Sequence, residues 1–225
     1  MDTSESRRAI LDRVRRAQHR DAAGSAGERE AIEEWIARRA VGPQPTVGAD
    51  RVAHFETQAA RMSTTTERVA AWSDVPAAIA RYLDAHGLGR RAVCWNTLAG
   101  LDWVGAGLQL EARRPNGDDL VGISGVFAAI AETGTLMMLS GPDTPASMHL
   151  LPETHVAVVP AERILAHYED GFALARRERG QLPRATNLVS GPSRTGDIEQ
   201  TIVLGAHGPY RVHVVIVEAG PGLEP

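Results

Sequence analysis

Residues 187–199, NLVSGPSRTGDIE, crowd Ser190, Ser193, Arg194, Thr195, Asp197 and Glu199 into one short stretch around Gly191 and Pro192. Gly191 lets the backbone turn or approach a ligand closely, and Pro192 stiffens that geometry. Successive N–H groups in such a turn can form an anion-binding nest, with Ser190, Ser193 and Thr195 adding hydroxyls. Arg194 can grip a carboxylate or phosphate through two parallel bonds. The competing reading is internal: Arg194 pairs with Asp197 or Glu199 and only locks the loop.

A second cluster is IAETGTLMML, where Glu132 stands between apolar runs. An ionised carboxylate is expensive to bury without partners, and desolvation raises a glutamate toward the range of a general base. Thr133, Gly134 and Thr135 supply hydroxyls and backbone N–H groups. Glu-Thr-Gly is equally good hairpin chemistry, with the glutamate in solvent. LSGPDTP, residues 139–145, repeats Ser-Gly-Pro without the arginine and reads as a structural turn. Among the histidines, His207 in GAHGP is a weak acid/base candidate. His149, His155 and His213 show no metal-ligand spacing such as HExxH, so no metal site is expected. Neither GxGxxG after a strand nor GxxxxGK[ST] is present.

The elements that must position these groups follow from periodicity. Residues 1–63 form an N-terminal helical segment: Ile10, Leu11 and Val14 make one apolar stripe, and Ile32, Trp35 and Ile36 a second. In a third helix, Asp50 is a cap and Val52, Phe55, Ala59 and Met62 recur at helical spacing. Residues 64–219 alternate short apolar runs with helical stretches. Strands are expected at 67–72, RAVCW, THVAVVP and VHVVIVEA, a helix at DVPAAIARYLDAHGLG, and another across 161–180, with Ile164, Tyr168 and Phe172 repeating. A tight hairpin is expected through Glu132-Thr133-Gly134. This pattern predicts an α/β sheet covered on both faces. Residues 220–225 read as a disordered tail.

Composition narrows the function classes. The chain has 225 residues, 43% hydrophobic and 23% charged, with a net charge of −4, which leaves no basic footprint for nucleic acid or anionic lipid. No apolar stretch approaches the roughly 20 residues of a membrane helix, and the N-terminus lacks a secretory h-region; a cytoplasmic location is expected. The single cysteine, Cys94, lies in RRAVCWN and reads as a small buried hydrophobe.

Together AIAETGTLMMLSGP, LLPETHVAVVPAERI, SGPSRTGDIEQTIVLGAHGP and VHVVIVEAG resemble the lactate-utilization protein C family, the LUD-domain proteins, in consistent order from about residue 65 to residue 219. The resemblance implies a Rossmann-like, mixed but mostly parallel sheet of the isomerase/CoA-transferase type, with helices on both faces. It implies a role in oxidising L-lactate to pyruvate alongside iron–sulfur partner proteins. In CoA-transferases a Ser-Glu-Asn-Gly turn carries the catalytic glutamate; Ala131-Glu132-Thr133-Gly134 resembles a distant version, with Ala and Thr replacing Ser and Asn.

Oxidising lactate removes two electrons, which need a flavin, a nicotinamide or metal clusters. One cysteine cannot supply four cluster ligands, so the clusters are expected on the partners and no cofactor in this chain. The leading expectation is an accessory subunit of an iron–sulfur lactate-oxidising system, with an anion cleft formed by Glu132, Thr133, Gly134, Thr135, Ser190, Gly191, Ser193, Arg194 and Thr195. The alternatives are a free-standing isomerase or CoA-transferase-like enzyme using Glu132, and a structural adaptor whose N-terminal helices dock on the iron–sulfur proteins.

Overall fold

The computed structural model describes residues 3–19, 26–198 and 200–219; Glu199 and the 220–225 tail lie outside them. The chain divides into two compact units, Met1–Gln44 and Pro45–Pro225. In the first unit, helices α1 (Ser4–Ala17) and α2 (Ala26–Arg38) carry the two expected stripes. Ile10, Val14, Ile32, Trp35 and Ile36 on those stripes remain exposed, Trp35 at 71%.

The second unit begins with α3 (Arg51–Arg61), capped by Asp50, which accepts the Ala53 N–H at 2.9 Å. Phe55 and Ala59 on its inner face are fully buried. The units therefore separate at 44/45, ahead of the 63/64 boundary expected from the sequence, because α3 belongs to the main core. The chain continues through β1 (Thr65–Val69), α4 (Val75–Ala85), β2 (Arg91–Cys94), β3 (Gln109–Ala112) and β4 (Val121–Gly125). A hairpin of β5 (Ala128–Ile130) and β6 (Thr135–Leu139) turns through Glu132–Gly134. Then come β7 (Thr154–Pro160), β8 (Ile164–Leu165), α5 (Tyr168–Arg179) and β9 (Thr186–Val189). The hairpin of β10 (Arg194–Ile198) and β11 (Thr201–Leu204) precedes β12 (Arg211–Val217).

Six strands form the central sheet in the order β1-β12-β7-β4-β2-β3, and every neighbouring pair is parallel. A parallel sheet must bury both faces. Toward one side Val156, Val158, Val215 and Val217 pack on Ile79 and Leu83 of α4; burying each such side chain contributes roughly 1.5–3 kcal/mol. Toward the other, Ala157, Val159, Val214 and Ile216 meet Phe55 and Ala59 of α3. That face is shared with a second sheet, β8-β5-β6-β9, which contributes Ala129, Leu136 and Met138. Helix α5 closes the outer side of this second sheet through Ala175.

Two local expectations change. The stretch 161–180 is not one helix: Ile164 leaves the helical stripe and pairs as β8 with Ala129, where it is 2% exposed, and the helix begins only at Tyr168. An open strand edge beside the core outcompetes helical propensity there. Likewise Arg194–Ile198 is not loop but strand, because β11 offers it an antiparallel partner across the Gln200 turn at φ 57°.

Two glycines fix how α3 docks. A Cβ on Gly134 (φ +66°) would stand 2.3 Å from Ala59 N, and one on Gly191 (φ +79°) 2.0 Å from Met62 O. Gly134→Ala and Gly191→Ala are each expected to lower unfolding free energy in urea by roughly 2–4 kcal/mol. Gly87→Ala, at φ +63° but facing open space, should cost only about 1 kcal/mol; equal losses at all three would show that the close approach carries nothing.

Burial also makes stability depend on pH. Desolvation holds the imidazole of His155 down at about 3, and those of His149 and His213 at about 4. Unfolding returns each to about 6.5. Stability is thus complete above pH 6.5 and falls toward pH 4, as the unfolded chain takes up protons the folded chain refuses, by up to roughly 1.4 kcal/mol per pH unit for each histidine. Guanidinium midpoints at pH 7.5, 6 and 5 should show this decline. His155→Gln, which keeps a polar group near Ser124 Oγ (2.8 Å from His155 Nε2), should flatten it by about one third.

Candidate functional site

Glu132 follows β5 and faces the start of α5, its side chain 8% exposed. Tyr168 N–H donates to Glu132 Oε1 at 3.0 Å, and His167 Nδ1 meets Oε2 at 3.0 Å. The first N–H groups of a helix lack intrahelical acceptors and favour negative charge nearby. Glu132 thus serves as a long-range cap for α5. Around it the hydroxyls form a closed network. Thr135 Oγ1 lies 2.8 Å from Thr133 Oγ1, 2.8 Å from Tyr168 OH and 2.6 Å from Ser190 Oγ, and Thr133 Oγ1 donates to Tyr168 OH at 3.0 Å.

The structure therefore brings the turn at 132–135 against the one at 190–191, and both against the last turn of α3 through Gly134 and Gly191. Arg194 reaches the same helix end from the other side: its Nη2 donates to Ser63 Oγ at 2.6 Å and to Met62 O at 3.4 Å. A guanidinium there complements the negative end of the helix dipole. Asp197 does not take Arg194; it pairs with Thr195, which donates to Asp197 Oδ2 at 3.0 Å. Ser193 is held by backbone, its N–H donating to Pro209 O at 2.9 Å. His207 is exposed in the turn between β11 and β12. The carboxylate and the guanidinium of the expected anion cleft are each engaged by their own neighbours.

A separate hollow lies at the carboxyl edge of the central sheet. From β2 the chain moves outward to β3, whereas from β4 it moves the opposite way to β7 and β12. Open α/β sheets bind ligands beyond the carboxyl ends of the strands where the winding direction reverses. There a crevice of about 640 Å³ opens over Trp95, Gly125 and Pro160, the residues at the ends of β2, β4 and β7. Its walls add Trp72, Phe127, the 139–144 turn, Arg163, the end of α5 and residues 181–184. Arg163 donates to Glu178 at 2.8 and 3.0 Å and lies 5.6 Å from the Phe127 ring centroid. Asn96 Nδ2 donates to Asp143 Oδ1 at 3.0 Å.

Sequence reasoning singled out neither this crevice nor His167. LSGPDTP, read as a turn alone, does turn the chain, with Thr144 Oγ1 donating to Leu139 O at 2.9 Å, and it also forms one crevice wall. Asp143 was the available signal, a carboxylate set between Gly-Pro and Thr-Pro after an apolar strand. Cys94, in contrast, is 1% exposed, and burial pushes its thiol up to about 11, so it carries no nucleophile at neutral pH.

The model of the LUD domain family matches residues 2–217. Lactate utilization protein C of Bacillus licheniformis is 33% identical over 101 residues, covering 44% of this chain and 42% of that protein. The protein of the same name from Geobacillus thermodenitrificans is 29% identical over 126 residues, 55% of this chain and 49% of that one. The matched stretch thus spans less than half the length of these relatives. The crystal structure of a DUF162 family protein from Deinococcus radiodurans is similar with a TM-score of 0.55 at 24% identity, covering 77% of this chain and 99% of that one, which supports the fold. No described helix is long and apolar enough to cross a membrane. With the family model matched along nearly its whole length, the chain belongs to the LUD-domain family.

Proposed function

We propose that this chain is an accessory subunit of L-lactate oxidation in the cytoplasm, working with iron–sulfur proteins that carry the electrons. The observation that carries the reading is the agreement of a LUD-domain match over residues 2–217 with relatives named lactate utilization protein C. The single cysteine, buried and held as a thiol, supports it: two electrons leaving lactate have no thiol pair or cluster to enter here. The anion cleft of this reading is the crevice at the sheet's carboxyl edge. An anion between Glu132 and Arg194 would have to displace the Tyr168 N–H, His167 and Ser63 contacts already made there. For the same reason a free-standing enzyme built on Glu132 is the weaker alternative, since both carboxylate oxygens are occupied.

Deleting the gene for this chain in its parent organism is expected to abolish growth on L-lactate and to leave growth on pyruvate unchanged. Undiminished growth on L-lactate would overturn the proposal.

The adaptor reading is favoured by one observation, the exposed stripes Ile10–Val14 and Ile32–Trp35–Ile36 on α1 and α2. The occupant would be an iron–sulfur partner of the same system. The informative truncation removes residues 1–44, because a cut at 63 also strips Phe55 and Ala59 from the core. Chain 45–225 is expected to lose co-purification with the tagged iron–sulfur proteins while keeping its thermal transition; retained co-purification would place the dock elsewhere.

A further inference from the structure

We propose that the crevice binds a phosphorylated ligand of nucleotide size, with its flat apolar part against Trp72 and Phe127, its phosphate toward Arg179 and Arg184, and a hydroxyl or amino donor toward Asp143. The proposal rests on the crevice being the ligand site of this chain, and it adds the class of ligand.

Size comes first. A volume of about 640 Å³ falls in the range of roughly 300–1,000 Å³ that encloses ligands of many atoms. A three-carbon hydroxy acid would fill little of it and leave the aromatic walls wet. Apolar surface comes second: Trp72, Phe127 and Leu182 share the lining, and Phe127 is backed by the Arg163 guanidinium, which fixes the ring as a wall.

Charge comes third. Three arginines and three carboxylates line the crevice, Arg163, Arg179 and Arg184 against Asp143, Glu162 and Glu178. Arg163 and Glu178 neutralise each other. Arg179 and Arg184 form no ion pair among the described residues, so they present guanidinium forks suited to phosphate. Asp143 is steadied through one oxygen by Asn96, which leaves the other as an acceptor. A ligand with an anion at one end and donor groups at the other satisfies both; a simple anion satisfies only the arginines. The ring, sugar hydroxyls and phosphate of a nucleotide supply these features in one molecule.

The test is titration calorimetry of the full chain with adenosine monophosphate, flavin mononucleotide and coenzyme A, beside L-lactate and inorganic phosphate. At least one of the three large probes is expected to bind in the micromolar range, with lactate and phosphate more than tenfold weaker. The Arg179→Ala/Arg184→Ala double variant lies on the surface and should fold normally. In it, the tightest probe should weaken by roughly tenfold or more, and Asp143→Asn should weaken it further. Absence of binding by all three large probes below about 1 mM, equal affinity for lactate, or unchanged affinity in the double variant would overturn the proposal. Failure of this ligand class is separable from failure of the lactate role. If the deletion strain loses growth on L-lactate but the double variant restores it fully, the subunit role stands and the ligand assignment falls.

Discussion

A sheet whose strands all run the same way has no face it can leave to water, because each strand is reached by a crossover that must itself pack somewhere. In this chain that constraint governs everything else. β7 and β12 lie at the middle of the sheet and are buried along almost their whole length. α4 covers one side. The other side is too wide for α3 alone, and the β5–β6 hairpin, extended by β8 and β9, completes the cover. The same parallelism gathers the carboxyl ends of the central sheet at one edge, and the crevice of about 640 Å³ opens there.

The polar turns have a different task. α3, the β5–β6 turn, the start of α5 and the end of β9 are far apart in sequence, and they meet where backbone N–H and C=O groups run out of partners. Glu132 takes up the N–H at the start of α5, and Arg194 takes up a carbonyl at the end of α3. Thr133, Thr135, Tyr168 and Ser190 satisfy one another between them. A buried polar group left unpaired costs about 1–3 kcal/mol. The element ends that converge there engage many of the hydroxyl and charged residues at 190–197 and 132–135.

Much of the fold was legible because its signals are local. The β-branched runs of β7 and β12, the Asp50 cap and the Glu-Thr-Gly hairpin all need only neighbouring residues. β8 was not, because Ile164 keeps helical spacing with Tyr168, and only the edge of β5, more than thirty residues earlier, draws it out. The candidate site was legible in half. Two turns rich in chemistry do meet, as Thr135 and Ser190 show, but which groups each carboxylate and guanidinium would face depends on α3 and α5. The crevice was opaque for a similar reason. Trp72, Trp95, Phe127, Asp143, Arg163 and Arg184 come from separate segments, and each looks ordinary in its own.

What chemistry this chain can carry follows from the same placement of groups. The one thiol is sealed in the sheet at Cys94, and a single cysteine cannot hold a cluster. Proton transfer needs an acid or base with a free face. The buried histidines stay neutral down to pH values well below physiological, and Glu132 is engaged at both oxygens, whereas Asp143 in the crevice keeps one oxygen free. Binding needs only a rigid hollow with convergent charge, and that the fold supplies where its winding reverses. The crevice walls come from the strand ends and from the turns attached to them, and the 139–144 turn is tied to the segment after α5 by the bond from Ala185 N–H to Ser140 Oγ at 3.0 Å.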